Sequence, residues 1–308
     1  MNKRRITIVS VLAMAMIFLS GCGFPGLSSS SDDTIRIAAL NTTEQQILAS
    51  MDQQMIEHYT DLHVTIISNL GSSNVSFEAM KRGDADMSAA RYDGTDLTTI
   101  LGKTSSGNPK TDSETVKKAF QKKYGFTYLP SYGFADTYAW MVTQATAKKY
   151  NLNTVSDMKT HASELSVGLD QTWMKRSGDG YPAFQKKYNF SFGTASPMQI
   201  GLVYDAVSAG KMDAVLGYST DGRISSYNLK LLKDDQNFFP PYYAYPVATT
   251  KILKEHPELI KVLSKLSGKI SVSTMQKLNY QADDELKEPS VVAKEFLQKH
   301  NYFEGSND

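Results

Sequence analysis

From Thr34 onward, segments typical of strands alternate with segments of helical spacing, and this alternation limits the possible folds more than any other feature. Thr34 to Leu40 form a predominantly apolar run, and the segment that follows places Ile47, Met51 and Met55 on one helical face. Strand, helix and strand then recur in LHVTIIS, VSFEAMKR and ADMSAAR. The order βαβαβ predicts a parallel sheet with helices packed on its faces.

A second set of strands and helices lies in the middle of the chain. Glu164 to Asp170 form a predicted strand. A helix is predicted to begin at Ser196, with Pro197 in its first position and Gln199 completing a capping box. The strand DAVLGY follows this helix. Two such sets predict two lobes, each with its own sheet, which is usual for a chain of this length.

The two sets share a weak sequence repeat that contains a tyrosine. In each copy a glycine is followed three residues later by an aspartate, then by a short apolar run, a tyrosine and an acidic turn. The members are Gly83, Asp86 and Tyr92 in the first copy and Gly210, Asp213 and Tyr218 in the second. Two similar helix–turn–strand units would explain the repeat. They would also place both tyrosines at carboxyl ends of strands, where α/β folds bind ligands.

The C-terminal part of the chain is mostly helical and is predicted to pack back on the first lobe. The chain then crosses between the lobes twice, near Tyr128 to Asp136 and near Phe238 to Tyr245. We therefore assign residues 34–132 and 243–308 to lobe 1, and residues 133–242 to lobe 2. Two α/β lobes joined by two crossings place a ligand cleft between them.

Residues 1–21 have the pattern of a signal peptide. The basic residues 3–5 are followed by the apolar run Ile6 to Leu19, which is too short to favour a membrane span. The sequence LSGC then ends in Cys22, the single cysteine of the chain, and resembles a bacterial lipoprotein signal. An incidental thiol is the less favoured alternative. Residues 22–33 are mostly small and polar, which is typical of a flexible tether.

Composition and motifs argue against several classes of protein. Lys and Arg total 33 against 32 for Asp and Glu, so we expect no nucleic-acid partner. No second run of about eighteen apolar residues is present, which excludes a membrane channel. The five histidines lack metal-ligand spacing, and nucleophile elbows, P-loops and dinucleotide fingerprints are absent. We therefore expect no metal, no cofactor and no catalysis, and an exported cell-wall enzyme is the alternative from another class.

Tyrosine is frequent at the positions expected between the lobes. The chain has 17 Tyr, among them Tyr132 and Tyr138 near the first crossing and Tyr242, Tyr243 and Tyr245 near the second. Any single one of them is more often an ordinary packing residue. Several tyrosine faces around one cleft would suit a quaternary ammonium, which has no N–H to donate and is held by ring quadrupoles and dispersion.

Several segments together resemble the osmoprotectant-binding lipoproteins of bacterial ABC importers, which take up glycine betaine, carnitine, choline and related compounds. They are GLVYDAVSAGKMDAVLGYSTDGRI, the aromatic segment FFPPY and the C-terminal segment LKEPSVVAKEFLQKH. The resemblance covers essentially the whole mature chain. It implies an α/β, two-lobed type II periplasmic-binding-protein fold with an interlobe ligand cleft. It also implies a monomer, lipid-anchored at the extracytoplasmic face of the cell membrane, that passes its ligand to ABC permease subunits and is not an enzyme.

The same resemblance assigns roles to individual residues. The tyrosines that form the aromatic cage of the family correspond here to Tyr92, Tyr138, Tyr218 and Tyr242. In the family, a hydroxyl three residues after the first cage tyrosine binds the ligand carboxylate, and the corresponding residue is Thr95. These five residues are the predicted substrate-binding set.

One position departs from the family pattern. Close relatives carry a glutamine at the end of the first strand, where this chain has Leu40. Leu40 has no side-chain donor, so either Asn41 or a backbone group replaces it, or ligand affinity and preference differ.

The alternative within the same fold is an amino-acid or anion receptor, which would need an arginine in the cleft. Arg91 is the candidate, but its position next to Tyr92 predicts that it points to the opposite side of its strand.

We predict that Cys22→Ala removes lipid modification without affecting folding, because Cys22 precedes the tether. Two acyl chains at this residue would anchor the mature protein stably. Fatty-acid labelling followed by detergent partitioning measures the attachment, and Ser28→Ala in the tether is the control. Equal labelling of the wild type and the Cys22→Ala variant would contradict the assignment.

Overall fold

A computed structural model describes residues 33–176, 179–240 and 242–304 of the chain. The predicted signal peptide, Cys22 and the tether up to residue 32 lie outside the described residues, so the predictions for them are unchanged. Over the described part of the chain, no helix combines the length and the apolar character needed to cross a membrane.

Strands and helices alternate along most of the described chain. The strands are β1 (Thr34–Leu40), β2 (His63–Leu70), β3 (Met87–Tyr92), β4 (Phe126–Tyr128), β5 (Tyr138–Thr143), β6 (Ser166–Asp170), β7 (Thr194–Met198), β8 (Ala214–Tyr218), β9 (Leu229–Leu231) and β10 (Ala244–Thr249). The α-helices are α1 (Thr43–Tyr59), α2 (Ser73–Arg82), α3 (Asp93–Thr95), α4 (Pro109–Tyr124), α5 (Gln144–Lys149), α6 (Gln171–Met174), α7 (Tyr181–Tyr188), α8 (Ile200–Ser208), α9 (Arg223–Ser226), α10 (Thr250–Glu255), α11 (Glu258–Ser264), α12 (Val272–Asp283) and α13 (Pro289–Lys299). A π-helical turn, Asp96–Ile100, follows α3, and a 3₁₀-helix, Ser156–His161, follows α5.

The strands form two five-stranded sheets. In the first sheet the order is β2-β1-β3-β10-β4, with β1 parallel to β3, and β10 antiparallel to both β3 and β4. In the second sheet the order is β7-β6-β8-β5-β9, with β6 parallel to β7 and β8, and β5 antiparallel to β8 and β9. Each sheet is therefore mixed rather than parallel throughout, because β5 and β10 enter antiparallel to their neighbours.

The chain changes sheet between β4 and β5 and returns to the first sheet between β9 and β10. This is the two-lobed α/β architecture, with each lobe built around one sheet. The lobe limits at residues 132/133 and 242/243 stay a prediction, because strand membership alone does not fix them.

The helix predicted before DAVLGY is present, but its predicted start at Ser196 is wrong. Ser196 and Pro197 belong to β7, and α8 begins at Ile200 with Gln199 as its N-cap. β7 lies at the edge of the second sheet and pairs with β6 alone. Proline has no N–H to donate, and an edge strand tolerates this because one of its sides has no partner strand. The proline here therefore marks an edge strand.

Each sheet contributes to two buried clusters. On the first sheet, one cluster, the first core, is largely aliphatic and includes buried side chains of α1, α11, α12 and α13, so the C-terminal helices pack on this sheet, whereas the other cluster contains Phe77 and Phe120. On the second sheet, one cluster is strongly aromatic, with Trp140, Trp173 and Phe184 fully buried.

Helix α12 also reaches the loop that follows β8. Gln276 Nε2 donates to the carbonyl oxygen of Ser219 at 2.7 Å, and Asn279 Nδ2 donates to that of Thr220 at 2.8 Å. A Cβ atom on Gly222 would lie 2.4 Å from the backbone nitrogen of Tyr280, so the loop approaches the helix as closely as a glycine allows. The loop after β8 is thus tied to a helix of the first core.

Asp52 is a fully buried carboxyl group in the first core. Its Oδ2 accepts a hydrogen bond of 2.8 Å from the Tyr132 hydroxyl, and its Oδ1 has no hydrogen-bond partner among the described residues. Burial raises the pKa of Asp52 well above its usual value, although the hydrogen bond from Tyr132 opposes the shift. Asp52 therefore retains a proton at a pH where the unfolded chain has released it.

This retained proton predicts a pH dependence of stability. The contribution of Asp52 to the free energy of unfolding is fully present below the pKa of this group in the unfolded chain, about 4. It declines by about 1.4 kcal/mol per pH unit as the pH rises toward the pKa in the folded protein. Asp52→Asn has no proton to lose, so it should lose less unfolding free energy than the wild type between about pH 4 and about pH 7.

Urea unfolding at several pH values measures this difference. Asp61→Asn, at an exposed position, is the control and should follow the wild type. An identical pH dependence for wild type and Asp52→Asn would refute the assignment of a raised pKa.

Candidate ligand site

Two of the predicted site tyrosines end strands in different sheets. Tyr92 is the last residue of β3 in the first sheet, and Tyr218 is the last residue of β8 in the second. Tyr138 is the first residue of β5 and pairs in register with Tyr218. Tyr242 lies on the return crossing between β9 and β10. Both sheets and the return crossing thus supply residues of the predicted set.

Tyr138 contacts two of the other predicted tyrosines. Its ring centroid lies 5.3 Å from that of Tyr218 and 6.3 Å from that of Tyr242, with the Tyr242 ring edge-on at 85°. Trp173 and Phe239 also contact Tyr138, at 6.1 and 6.2 Å. At these separations aromatic rings attract one another. The structure brings Tyr138, Tyr218 and Tyr242 together, and their role in ligand binding stays a prediction.

Carboxyl groups hold three of the tyrosine hydroxyls. The pairs are Tyr92 with Glu44, Tyr138 with Asp170 at 3.1 Å, and Tyr242 with Asp179. A hydroxyl bound to a carboxyl group limits the rotation of its ring. These hydrogen bonds therefore set the directions in which the three rings face.

Tyr218 is held through its backbone instead. Its N–H donates to the Tyr204 hydroxyl at 2.8 Å. A Cβ atom on Gly217 would lie 2.7 Å from that same hydroxyl oxygen, so the glycine before Tyr218 makes room for the Tyr204 side chain.

Tyr92 shares its environment with two carboxyl groups, Glu44 and Asp136. Burial raises the pKa of Tyr92 well above its usual value, and the charges of Glu44 and Asp136 raise it further. Tyr218 also raises the pKa of Tyr92, which indicates that the two strand-end tyrosines lie in one electrostatic environment.

Each of the two carboxyl groups has one oxygen that is shielded from water. Glu44 Oε2 and Asp136 Oδ1 are buried without a hydrogen-bond partner among the described residues. Burial raises the pKa of both groups, and repulsion from Glu44 adds to the shift of Asp136. Hydrogen bonds from Thr220 oppose both shifts. Both groups therefore release their protons less readily than exposed carboxyl groups do.

Thr95 ends the short helix α3, and its side chain is partly buried. Its carbonyl oxygen accepts hydrogen bonds from the hydroxyls of Thr98 and Thr99, at 3.2 and 2.7 Å. The preceding residue, Gly94, packs against a site tyrosine, because a Cβ atom there would lie 2.5 Å from Cδ1 of Tyr242. The turn that carries Thr95 therefore lies against the Tyr242 ring.

Neither Leu40 nor Asn41 presents a backbone donor to a ligand. The Leu40 N–H donates to Gln45 Oε1 at 3.1 Å, and the Leu40 carbonyl oxygen accepts from the Gln46 amide. Asn41 is exposed, and its N–H donates to the Leu70 carbonyl oxygen at 3.1 Å. If a donor takes the place of the glutamine that the resemblance implies, it must therefore come from another residue or from the Asn41 side chain.

Arg91 is buried in the first lobe, away from the site tyrosines. It forms an ion pair with Asp96, and its guanidinium carbon lies 5.6 and 5.8 Å from the ring centroids of Phe77 and Phe120. Arg91 thus stabilises the interior and does not supply the arginine that an anion receptor would need.

A different arginine, Arg176, contacts the site tyrosines, although no sequence pattern predicts it. Its guanidinium carbon lies 5.8 Å from the ring centroid of Tyr138 and 5.6 Å from that of Tyr242. Its Nε lies 2.9 Å from Asp179 Oδ1, and its Nη2 donates to Thr98 Oγ1 at 3.1 Å. An arginine three residues before an aspartate is its one sequence signal, and this spacing is common on protein surfaces.

The arrangement suits a small organic ligand more than a metal ion. In the ranges that the structure describes, no three or more His, Cys, Asp or Glu side chains are grouped so that they could hold a metal ion. Tyrosine faces attract cations, whereas hydroxyl and guanidinium groups donate to anions.

Comparisons with known proteins agree with this chemistry. The family model for the substrate-binding domain of ABC-type glycine betaine transport systems matches residues 33–299. The carnitine transport binding protein OpuCC of Listeria monocytogenes is 56% identical over 308 residues, which cover 100% of both chains. The ergothioneine transport permease/ergothioneine binding protein EgtU of Helicobacter pylori is 31% identical over 97% of this chain and 53% of that protein.

A solved structure shows the same relationship in three dimensions. A crystal structure of a glycine betaine/carnitine/choline ABC transporter is 53% identical to this chain and superposes with a TM-score of 0.81. The superposition covers 88% of this chain and 100% of that one.

The contact between Gly94 and Tyr242 predicts that Gly94→Ala destabilises the protein. The added methyl group would overlap the Tyr242 ring, and overpacking of this kind typically costs about 1–3 kcal/mol. Gly71→Ala is the matched control, because no atom lies within 4 Å of a Cβ at that position. Denaturant unfolding compares the two variants with the wild type. Equal stabilities of Gly94→Ala and Gly71→Ala would mean that Tyr242 does not lie against this turn.

Proposed function

We propose, because the chain belongs to the family of substrate-binding domains of ABC-type glycine betaine transport systems, that it captures a quaternary-ammonium osmoprotectant and delivers it to the permease of an ABC importer. The ligands that this proposal covers are glycine betaine, carnitine, choline and related compounds. ATP hydrolysis belongs to other subunits of the importer, and the chain is a binding protein, not an enzyme.

The group of site tyrosines is the main support for the proposed function. Tyr138 lies 5.3 Å from Tyr218 and 6.3 Å from Tyr242, and Tyr92 ends the strand β3 of the other sheet. A quaternary ammonium offers no N–H to a hydrogen-bond acceptor, so aromatic faces are the groups that hold it. Each face contributes about 0.5–2 kcal/mol, and four faces would supply a large part of the roughly 8 kcal/mol of a micromolar site.

The carboxylate end of the ligand binds a residue outside the tyrosine group. Thr95, on the turn that contacts Tyr242 through Gly94, donates to the ligand carboxylate. An amino-acid or anion receptor is not favoured, because the arginine it would use, Arg91, is buried against Asp96.

The remaining parts of the proposal concern where the protein acts. A binding protein of an ABC importer works outside the cytoplasm. We infer that a lipid on Cys22 and the tether of residues 22–33 attach it to the cell membrane as a monomer. The permease subunits are then its partners.

Titration calorimetry with glycine betaine, carnitine and choline tests the proposal, with dimethylglycine as the matched ligand that lacks a quaternary nitrogen. We expect micromolar binding of at least one quaternary compound and weaker binding of dimethylglycine. Absence of binding by every quaternary compound would reject the proposed function.

Substitution of Tyr218 tests the cage itself. Tyr218→Ala removes one aromatic face and should weaken binding by about 0.5–2 kcal/mol, whereas Tyr218→Phe keeps the face and should have a smaller effect. Tyr150→Ala is the control, because the Tyr150 ring packs against His161, outside the tyrosine group. If alanine at Tyr92, Tyr138, Tyr218 and Tyr242 each left the affinity unchanged, these residues would not form the binding site.

A further inference from the structure

We infer that Val75 and Leu202 are the contacts through which the two lobes of the protein dock on the outer surface of the importer's permease. The inference rests on the proposed function, because it names the surface that meets the permease subunits. Each residue lies in the first turn of a helix, α2 for Val75 and α8 for Leu202. Their side chains are 46% and 55% exposed, although both are aliphatic.

The sequence repeat that contains Tyr92 and Tyr218 extends back over these two helices. In the sheets, α2 leads from the edge strand β2 to β3, and α8 leads from the edge strand β7 to β8. Val75 and Leu202 therefore occupy equivalent positions of the two lobes. Three pairs of residues in the two copies are separated by the same 127 positions, namely Val75 and Leu202, Gly83 and Gly210, and Asp86 and Asp213.

The aspartates of the repeat have the same structural role in both lobes. Asp86 Oδ2 accepts the backbone N–H of Arg36 in β1 at 2.9 Å, and Asp213 Oδ2 accepts that of Ser166 in β6 at 2.9 Å. Each helix and the strand after it are thus joined to the neighbouring strand in the same way. The two helices are therefore equivalent in structure as well as in sequence.

Both first turns lie near the ends of β3 and β8, where two of the site tyrosines are found. In the first lobe, Arg91 Nη1 donates from the end of β3 to the carbonyl oxygen of Ser73, the first residue of α2, at 3.2 Å. In the second lobe, Arg223 Nη1 donates from α9, which follows β8, to the carbonyl oxygen of Gly201 in the first turn of α8 at 2.8 Å. A partner that contacts both turns therefore faces the site from which the ligand leaves.

The chain around each of the two residues carries no charge. Residues 64–77 and residues 191–204 include no Asp, Glu, Lys, Arg or His, in a chain of which 21% is charged. Such a surface does not attract anionic lipid headgroups, which bind clusters of Lys and Arg. It complements an uncharged protein surface, because contact there buries no unpaired charge.

The two exposed side chains are too small for a permanent interface. Stable protein–protein interfaces bury about 1,200–2,000 Å². One valine and one leucine, each about half exposed, supply a small part of that area, so a lasting dimer of this chain does not fit. Delivery of a ligand is a transient encounter and needs only a small contact. A permease made of two like halves presents the same surface twice, which matches two equivalent faces.

Acidic substitutions in cells that carry the complete importer test the inference. Val75→Asp and Leu202→Asp each place a charge in the contact, and an acid in the first turn of a helix is compatible with folding. Glycine betaine, carnitine and choline are supplied in radiolabelled form at limiting concentration. Uptake of those that the wild type imports should fall at least about tenfold in each variant, since each loses one central contact. Titration calorimetry should give wild-type ligand affinities, because neither residue belongs to the tyrosine group.

Ile260→Asp is the matched control. Ile260 is 43% exposed and also lies in the first turn of a helix, but its helix, α11, is outside the repeat. Uptake by this variant should equal that of the wild type. Val75→Leu and Leu202→Val keep an aliphatic side chain and should retain most of the uptake. Thermal unfolding shows whether each variant is folded, and serine replaces aspartate in any acidic variant that is not.

Four results would overturn the inference and leave the proposed function intact. Uptake could stay at the wild-type level in both acidic variants, only one of them could lose uptake, Ile260→Asp could lose as much, or ligand affinity could fall enough to explain the loss.

Two other occupants of these faces are tested by sedimentation of the same variants. Loss of a wild-type dimer in both variants would assign the faces to a second copy of the chain. Loss of binding to phosphatidylglycerol vesicles in both would assign them to lipid. Either result would overturn the inference. A wild type that binds none of the three compounds in calorimetry would instead reject the proposed function, and the inference with it.

Discussion

Hydrogen bonds between tyrosine hydroxyls and carboxyl groups are the interactions on which the rest of the proposed site depends. A cation meets several ring faces at once only if each ring is held in a fixed direction. Asp170, which accepts from Tyr138, is itself fixed because it also accepts the N–H groups of Thr172 and Trp173 at the start of α6. The backbone of α6 thus fixes the Asp170 carboxyl group, which in turn fixes the Tyr138 hydroxyl and the direction of its ring.

The backbone brings these side chains together before any ring contact forms. Antiparallel pairing of β5 with β8 places Tyr138 opposite Tyr218, and opposed residues of neighbouring strands lie within contact distance. The return crossing supplies Tyr242, and Gly94 leaves the space that its ring occupies. The mixed sheets are therefore useful to the site, because an all-parallel second sheet would lack this register pair.

The sequence predicted those features that depend on local pattern and strand direction. The ends of β3 and β8 at Tyr92 and Tyr218 followed from apolar runs, and the family resemblance agrees with the relatives found. The edge-strand role of Pro197 could not be predicted, because the edge is defined by the absence of a neighbour that only the fold assigns. Arg176 was not predicted for a similar reason: its contacts with Tyr138, Tyr242 and Thr98 join residues that are distant in the chain.

The hydrogen bonds that α12 makes to the loop after β8 have a kinetic consequence. Gln276 and Asn279, on a helix of the first core, bind the carbonyl groups of Ser219 and Thr220 next to Tyr218 in the second sheet. If the lobes separate at this point, both bonds must break, so the bonds oppose that separation. A molecule enclosed between the lobes would then stay bound for longer, and the C-terminal helices would contribute to its residence time.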